Sequence, residues 1–199
     1  MIRSLNPDLV LANIEENLKE HVEALRDWGI PVFVTYPRTV TEGIRMVEEL
    51  GAVTGTEERA REITAEIWPL YRQAERLGEI RPRVRVFCPI WRNPYMTINR
   101  DTYVHDMLRL SGGENIFADR SERYPQVTLE EVATAAPGVI LLPDEPYRFR
   151  KAHVQDFGPY AEVPAVRDGR IHLVDGKLLT WYGPRIAEAL QTLPSLLAR

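Results

Sequence analysis

The chain has 199 residues, 44% of them hydrophobic and 27% charged, with a formal net charge of −4. This is ordinary globular composition, enough for a sizeable core in one domain or two small lobes, and the acidic balance excludes a general nucleic-acid binder, which needs a basic face. No apolar run reaches the roughly 18 residues that a membrane span requires, and the single cysteine, Cys88, excludes an internal disulfide and any multi-cysteine metal site.

The opening stretch "MIRSLNPDLVLAN" has no long apolar segment and no small-residue cleavage site, so the sequence as given carries no signal peptide. Within it, the apolar run at 7–13 reads as a buried strand. Residues 15–28, "EENLKEHVEALRDW", place Leu18, Val22 and Leu25 at helical spacing and are stopped by Gly29. Glu15 and Glu16 suit a helix N-terminus, which leaves Asn13 as the better contact residue at the end of that strand. "IPVFVTY" (30–36) is a second strand, and strand, helix and strand with tight connections make a parallel βαβ unit. "VTEGIRMVEELGAVTG" is a helix expected to end near Gly51. The longest periodic segment, 55–80, puts Ile63, Ile67, Leu70 and Tyr71 on one face. At 1.5 Å per residue it reaches roughly 36 Å, longer than an ordinary crossover helix, and Pro69 should kink it or remove one backbone bond.

A second run of α/β units follows. "RVRVFCPI" (83–90), "GVILLPD" (138–144) and "RIHLVDG" (170–176) read as strands. "RDTYVHDMLRLSGG" is a helix closed by Gly112 and Gly113. "SGGENIF" is its C-terminal turn and, lacking GxGxxG spacing, no phosphate cradle. Thr128 and Glu131 form a capping box for the helix that starts at "VTLEEV", and "YGPRIAEALQTLPSLLA" is the last helix. The expected fold is therefore α/β: a partial N-terminal lobe over 1–54, a connecting helix over 55–81 and a fairly complete lobe over 82–199. The count is lopsided. Only two apolar strands fall in the first lobe, and buried parallel strands need neighbours. Either a partner chain, such as a second copy forming a homodimer, covers the open edge, or the beginning of the lobe is absent.

Three loops carry the chemistry. "IWRNPYM" (90–96) ends a parallel strand, where open α/β sheets bind ligands. Trp91, Tyr95 and Met96 offer stacking and packing surface, and Arg92 and Asn93 offer polar contacts; the same aromatics would equally suit capping of the lobe's own core. "LPDEPYRFRKAHV" (142–154) clusters Asp144, Glu145, Tyr147 and Arg148 around two prolines, a stiff polar loop suited to recognition, which a solvated turn would also explain. "LLTWYGPRI" (178–186) puts Trp181 and Tyr182 before a helix, either to stack on a ligand or to staple that helix. The four histidines (His21, His105, His153, His172) lack HxH or HExxH spacing, so no protein metal site is expected. No catalytic constellation emerges, and Cys88 reads as a buried inert thiol.

In combination, "LNPDLVLAN", the helix at 55–80, "IWRNPYMTINRDTYVHDMLRLSGGENIF", "YPQVTLEEVATAAPGVILLPDEPYRF" and "YGPRI" resemble the bacterial substrate-binding proteins that serve ABC importers of cobalamin, haem and iron–siderophore complexes. The resemblance runs over nearly the whole chain. It implies a class III periplasmic-binding-protein fold, two Rossmann-like lobes joined by one long helix, with the first lobe incomplete here. It also implies no catalysis and no cofactor of the protein's own, because the cobalt or iron arrives with the ligand. The ligand would be a bulky metal–organic molecule gripped between lobes by Trp91, Arg92, Asn93, Tyr95, Met96, Glu145, Tyr147, Trp181, Tyr182 and Asn13. The partner would be a membrane permease, and the location periplasmic or extracellular, at a membrane. The family's first-lobe acidic docking residue has no counterpart in "MIRSLN", and Glu145 is the loose candidate in the second lobe. Two other readings stand beside this one: a small cytosolic two-lobed enzyme acting on a nucleotide-like substrate, and a degenerate lobe serving as an oligomeric interaction protein.

Overall fold

Two parallel sheets organise the chain, one in each of two units. The computed structural model describes residues 2–198 and divides between Pro37 and Arg38. In the first unit, β1 (Val10–Asn13) pairs in parallel with β2 (Val32–Thr35), Val10 opposite Val32 and Asn13 opposite Thr35. Helix α1 (Lys19–Asp27) connects them, buries Leu25 and ends before Gly29, whose φ of 76° only glycine adopts freely. The helix starts later than the predicted 15. Asn13 Oδ1 accepts the Glu15 N–H at 2.8 Å, and Asn17 Oδ1 accepts the Asn13 N–H at 2.8 Å. This Asx turn competes with helix for the same backbone groups. A short 3₁₀ turn, Ile2–Leu5, precedes β1. Leu5, Leu11, Ile14, Leu18 and Trp28 all remain exposed on this unit, so its two strands have an uncovered apolar surface.

The second unit opens with α2 (Val40–Thr54), packed on the 24-residue α3 (Glu57–Ile80). Thr39 and Glu42 form a capping box at the start of α2. The helix runs through Gly51 to a left-handed Gly55, so the stop expected at Gly51 is not there. Gly51 is instead a contact point: a Cβ added to it would meet the Ala60 Cβ at 2.5 Å. α3 is continuous through Pro69. The expected division at residue 54 also differs from the observed one. Val40 and Ile44 are fully buried in the second unit's core, Arg38 pairs with Asp101 at 3.0 Å, and the Val40 N–H donates to Asp106 Oδ2 at 2.8 Å.

The sheet of this unit has the order β4-β3-β5-β6, all parallel. Its strands are β3 (Val84–Phe87), β4 (Gly113–Asn115), β5 (Val139–Pro143) and β6 (Ile171–Val174). β4 lies inside "SGGENIF", which reads as a turn; three residues of Gly, Glu and Asn carry almost no strand propensity, and only pairing with β3 makes them a strand. Side chains alternate between two cores, as strand geometry requires. Val84, Val86, Val139, Leu141 and Val174 face α2, α3, α4 (Tyr103–Leu110), a short α7 (Lys177–Thr180) and α8 (Arg185–Leu197). Phe87, Ile140 and Leu142 face the other way, toward Val132 of α5 (Leu129–Ala135), Phe157 of a 3₁₀ segment (Lys151–Tyr160) and Ala165 of α6 (Pro164–Arg167). The capping box at Thr128 and Glu131 is formed as predicted. Cys88 is buried, and that burial pushes its thiol up to about 12.

Asp106 is only 8% exposed, caps the first N–H of α2 and receives Arg109 at 2.8 Å. Its replacement by alanine should cost about 1.5–3 kcal/mol, the range for hydrogen bonds to a charged group. Asp106→Asn, which keeps an acceptor, should lose clearly less. Urea unfolding of the two variants measures the difference.

Candidate functional site

Parallel strands send their carboxyl ends to one side, so the loops after β3, β5 and β6 gather there. The loop after β3 folds back on itself: Met96 N–H donates to the Trp91 carbonyl at 3.2 Å, Ile90 N–H donates to the Met96 carbonyl at 2.8 Å, and Thr97 Oγ1 donates to the Cys88 carbonyl at 2.7 Å. Asn93 sits at the tip with φ of 64°, a region asparagine tolerates, followed by a cis bond to Pro94. Two side chains turn inward to one carboxylate. Arg92 donates through Nε and Nη2 to Asp156 at 2.7 and 3.0 Å, and the Tyr95 hydroxyl donates to the same group at 2.6 Å. The Tyr95 ring stacks on Phe149, centroids 6.2 Å apart. Trp91 is 45% exposed, its ring edge-on to Tyr147 at 5.4 Å.

The loop after β5 is fixed by its neighbour. Asp144 Oδ1 accepts the Gly176 N–H at 2.8 Å, and the Trp181 indole N–H donates to Glu145 Oε1. Gly176 lets these two loops close: a Cβ there would stand 2.6 Å from the Glu145 carbonyl oxygen and 2.7 Å from its nitrogen. Beyond α7, Trp181 is 48% exposed, with the Lys177 ammonium 5.1 Å from its ring centre. Tyr182 turns away and packs edge-on against Tyr103 at 4.9 Å.

The structure thus gathers Trp91, Tyr147, Glu145 and Trp181 on one rim. Met96 and Asn93 shape the first loop. Arg92 and Tyr95, expected as ligand contacts, are held by Asp156 within the lobe, and Tyr182 leans on the core. Asn13 belongs to the first unit, where its amide nitrogen donates to Thr35 Oγ1 at 3.1 Å and its oxygen holds the Asx turn. Asp156, Lys177 and Gly176 were not foreseen. A single aspartate 64 positions from its arginine leaves no local signal, although the "GK" after a strand end marks a tight turn. Among the described residues no group of three or more His, Cys, Asp or Glu side chains is placed to hold a metal ion, and no helix is long and apolar enough to cross a membrane.

The geometry has counterparts. A family model described as periplasmic binding protein matches residues 2–178. The chain belongs to the periplasmic binding protein family. Among its relatives is the vitamin B12-binding protein of Vibrio parahaemolyticus, 26% identical over 201 residues covering 95% of this chain and 68% of that protein. The match to the Vibrio campbellii vitamin B12-binding protein covers 50% of the relative, so the chain spans half to about two thirds of these curated relatives. The periplasmic vitamin B12 binding protein BtuF of Vibrio cholerae superposes with a TM-score of 0.85 at 22% identity, covering 98% of this chain and 76% of that one. The periplasmic haem-binding protein RhuT of Roseiflexus sp. RS-1 does so at 0.80 and 24%, covering 98% and 77%. At these identities the superpositions establish the fold of a class III periplasmic binding protein.

Two tests follow from the rim. The paired hydrogen bonds from Arg92 hold the Asp156 carboxyl below its ordinary 3.8, burial works against this, and the Tyr95 hydroxyl assists. A carboxyl depressed in the folded state contributes stability that is present above its unfolded value and lost as pH falls through the folded one. Thermal melts between about pH 4 and pH 2 should therefore fall more steeply for the native chain than for Asp156→Asn. Gly176 has φ of −59°, which alanine also adopts, so Gly176→Ala tests contact alone. It should cost about 1–3 kcal/mol and shift Trp181 fluorescence as the two loops separate.

Proposed function

We propose that this chain is the substrate-binding component of an ABC importer and that its rim holds a broad, flat, metal-bearing organic ligand of the cobalamin, haem or ferric-siderophore kind. The observation that carries the reading is the pair of half-exposed indoles, Trp91 and Trp181, held at the carboxyl ends of β3 and β6 with Tyr147 beside one and Glu145 bonded to the other. Rigid aromatic faces with a few fixed polar groups are what small-molecule sites use, and large rings held in place before binding lose little conformational freedom on contact.

Trp91, Tyr147 and Trp181 supply the stacking surface. The Trp181 indole has its N–H committed to Glu145, so its face and outer edge are what a ligand meets. Lys177 over that ring adds a positive charge that an acidic substituent would find. Asn93 and Met96 set the reach of the first loop. Arg92 and Tyr95 act from beneath, fixing through Asp156 which side of the loop faces outward. The metal stays in its own coordination shell, as expected of a ligand that is cargo. Membership of the periplasmic binding protein family supports delivery to a membrane permease and a location on the outer side of the membrane that carries it.

Titration of the chain with cyanocobalamin, haemin and ferrichrome, followed by tryptophan fluorescence with a free-tryptophan control for absorbance and by calorimetry, tests the proposal. One of the three should bind saturably. Trp91→Ala and Trp181→Ala should each weaken it about tenfold or more, a loss typical of buried aromatic anchors, while the melting temperature moves little. A folded chain that takes up none of the three, or variants that bind as well as the native chain, would refute it.

A further inference from the structure

A second concavity lies against the outer strand β6. It is an open groove of about 620 Å³, lined by Leu142, Phe149 and Leu173 together with Arg148, Arg150, Asp144 and Asp175. That volume is in the range of small-molecule sites. Leu173 is 49% exposed at the sheet edge, over the buried Leu142 and Phe149.

The two arginines are set there by the chain. Phe149 is buried, and its N–H donates to the Pro143 carbonyl at 3.1 Å. Arg150 is extended, with φ of −137° and ψ of 165°, and its N–H donates to His153 Nδ1 at 3.1 Å. In extended chain, alternate residues point to opposite sides, so anchoring Phe149 inward sends both neighbours outward.

Neither guanidinium pairs with a carboxylate among the described residues, so both are open to an outside anion. Arg38, Arg85, Arg92, Arg109, Arg120, Arg167 and Arg185 each hold one. The acids in the groove are engaged elsewhere. Asp144 accepts the Gly176 N–H at 2.8 Å; Asp175 accepts the Lys177 N–H at 3.0 Å and pairs with Arg185 at 2.7 Å. Asp175 is offset by Arg185, which also meets Glu188 at 3.3 Å, so Arg148 and Arg150 are the groove's unpaired cations beside an exposed leucine.

We propose that this groove binds an amphipathic acid: an apolar body against Leu173 and a terminal carboxylate or phosphate between Arg148 and Arg150. The planar guanidinium fork suits either head group. The site uses none of Trp91, Tyr147 or Trp181, so it stands or falls apart from the rim.

Octyl phosphate, kept below its micelle concentration and titrated into the full chain by calorimetry, is the probe, with octyl glucoside as the uncharged control. Octyl phosphate should bind one to one, at least tenfold more tightly than the glucoside, and weaken as salt rises. Arg148→Ala with Arg150→Ala should lower its affinity tenfold or more at unchanged melting temperature, and the double lysine variant should recover part of it. Trp91→Ala and Trp181→Ala should leave it unchanged. Equal binding by the native and double-alanine chains, equal binding of the two probes, or loss in the tryptophan variants would overturn the proposal. So would cosedimentation with phosphatidylglycerol vesicles without any binding of dissolved octyl phosphate, which would make the ligand a lipid surface.

Discussion

Four strands running in one direction, with both faces covered, leave a lobe only its edges and ends to display. Val86 and Leu141 must find helices on one side, and Phe87, Ile140 and Leu142 on the other. Once that is satisfied, every connection leaving a carboxyl end emerges on the same side. The rim follows from this directionality more than from any one side chain. Trp91, Glu145, Tyr147 and Trp181 are scattered over some 90 positions and still meet, because three parallel strands deliver them there.

Fixing the rim takes few interactions, and most run between loops. Asp156 draws in Arg92 and Tyr95, while Trp91 in the same loop stays half-exposed. Asp144 grips the Gly176 backbone, Glu145 grips the Trp181 indole, and the missing side chain of Gly176 allows both approaches. The aromatic surface is therefore fixed by contacts within the lobe itself.

Much of this was legible in the amino-acid sequence. Apolar runs such as "GVILLPD" and "RVRVFCPI" are long enough to declare buried parallel strands, and the three- and four-residue spacing at 55–80 declares α3. The capping residues Thr128 and Glu131 mark a boundary by local chemistry alone. The resemblance to importer substrate-binding proteins is met by the family match over residues 2–178. What escaped depended on partners far along the chain. β4 is a strand only because β3 lies beside it. Gly51 looks like a helix stop until Ala60 is brought against it. Glu15 and Glu16 look like a helix start until Asn13 and Asn17 claim the backbone. In the site the aromatics at strand ends were visible, but which of them would face outward was not. That choice rests on Asp156 for Tyr95 and on Tyr103 for Tyr182, contacts that no local pattern encodes.

The first unit has the least to hold it. Two four-residue strands share one ladder, and leucines that a further layer would cover stand in water. A two-stranded ribbon of this kind is marginal by itself, and regions with few buried neighbours open first. Amide protons in β1 and β2 will consequently trade with deuterated solvent long before those of β5, and a protease given the intact chain will find its earliest cuts ahead of Pro37.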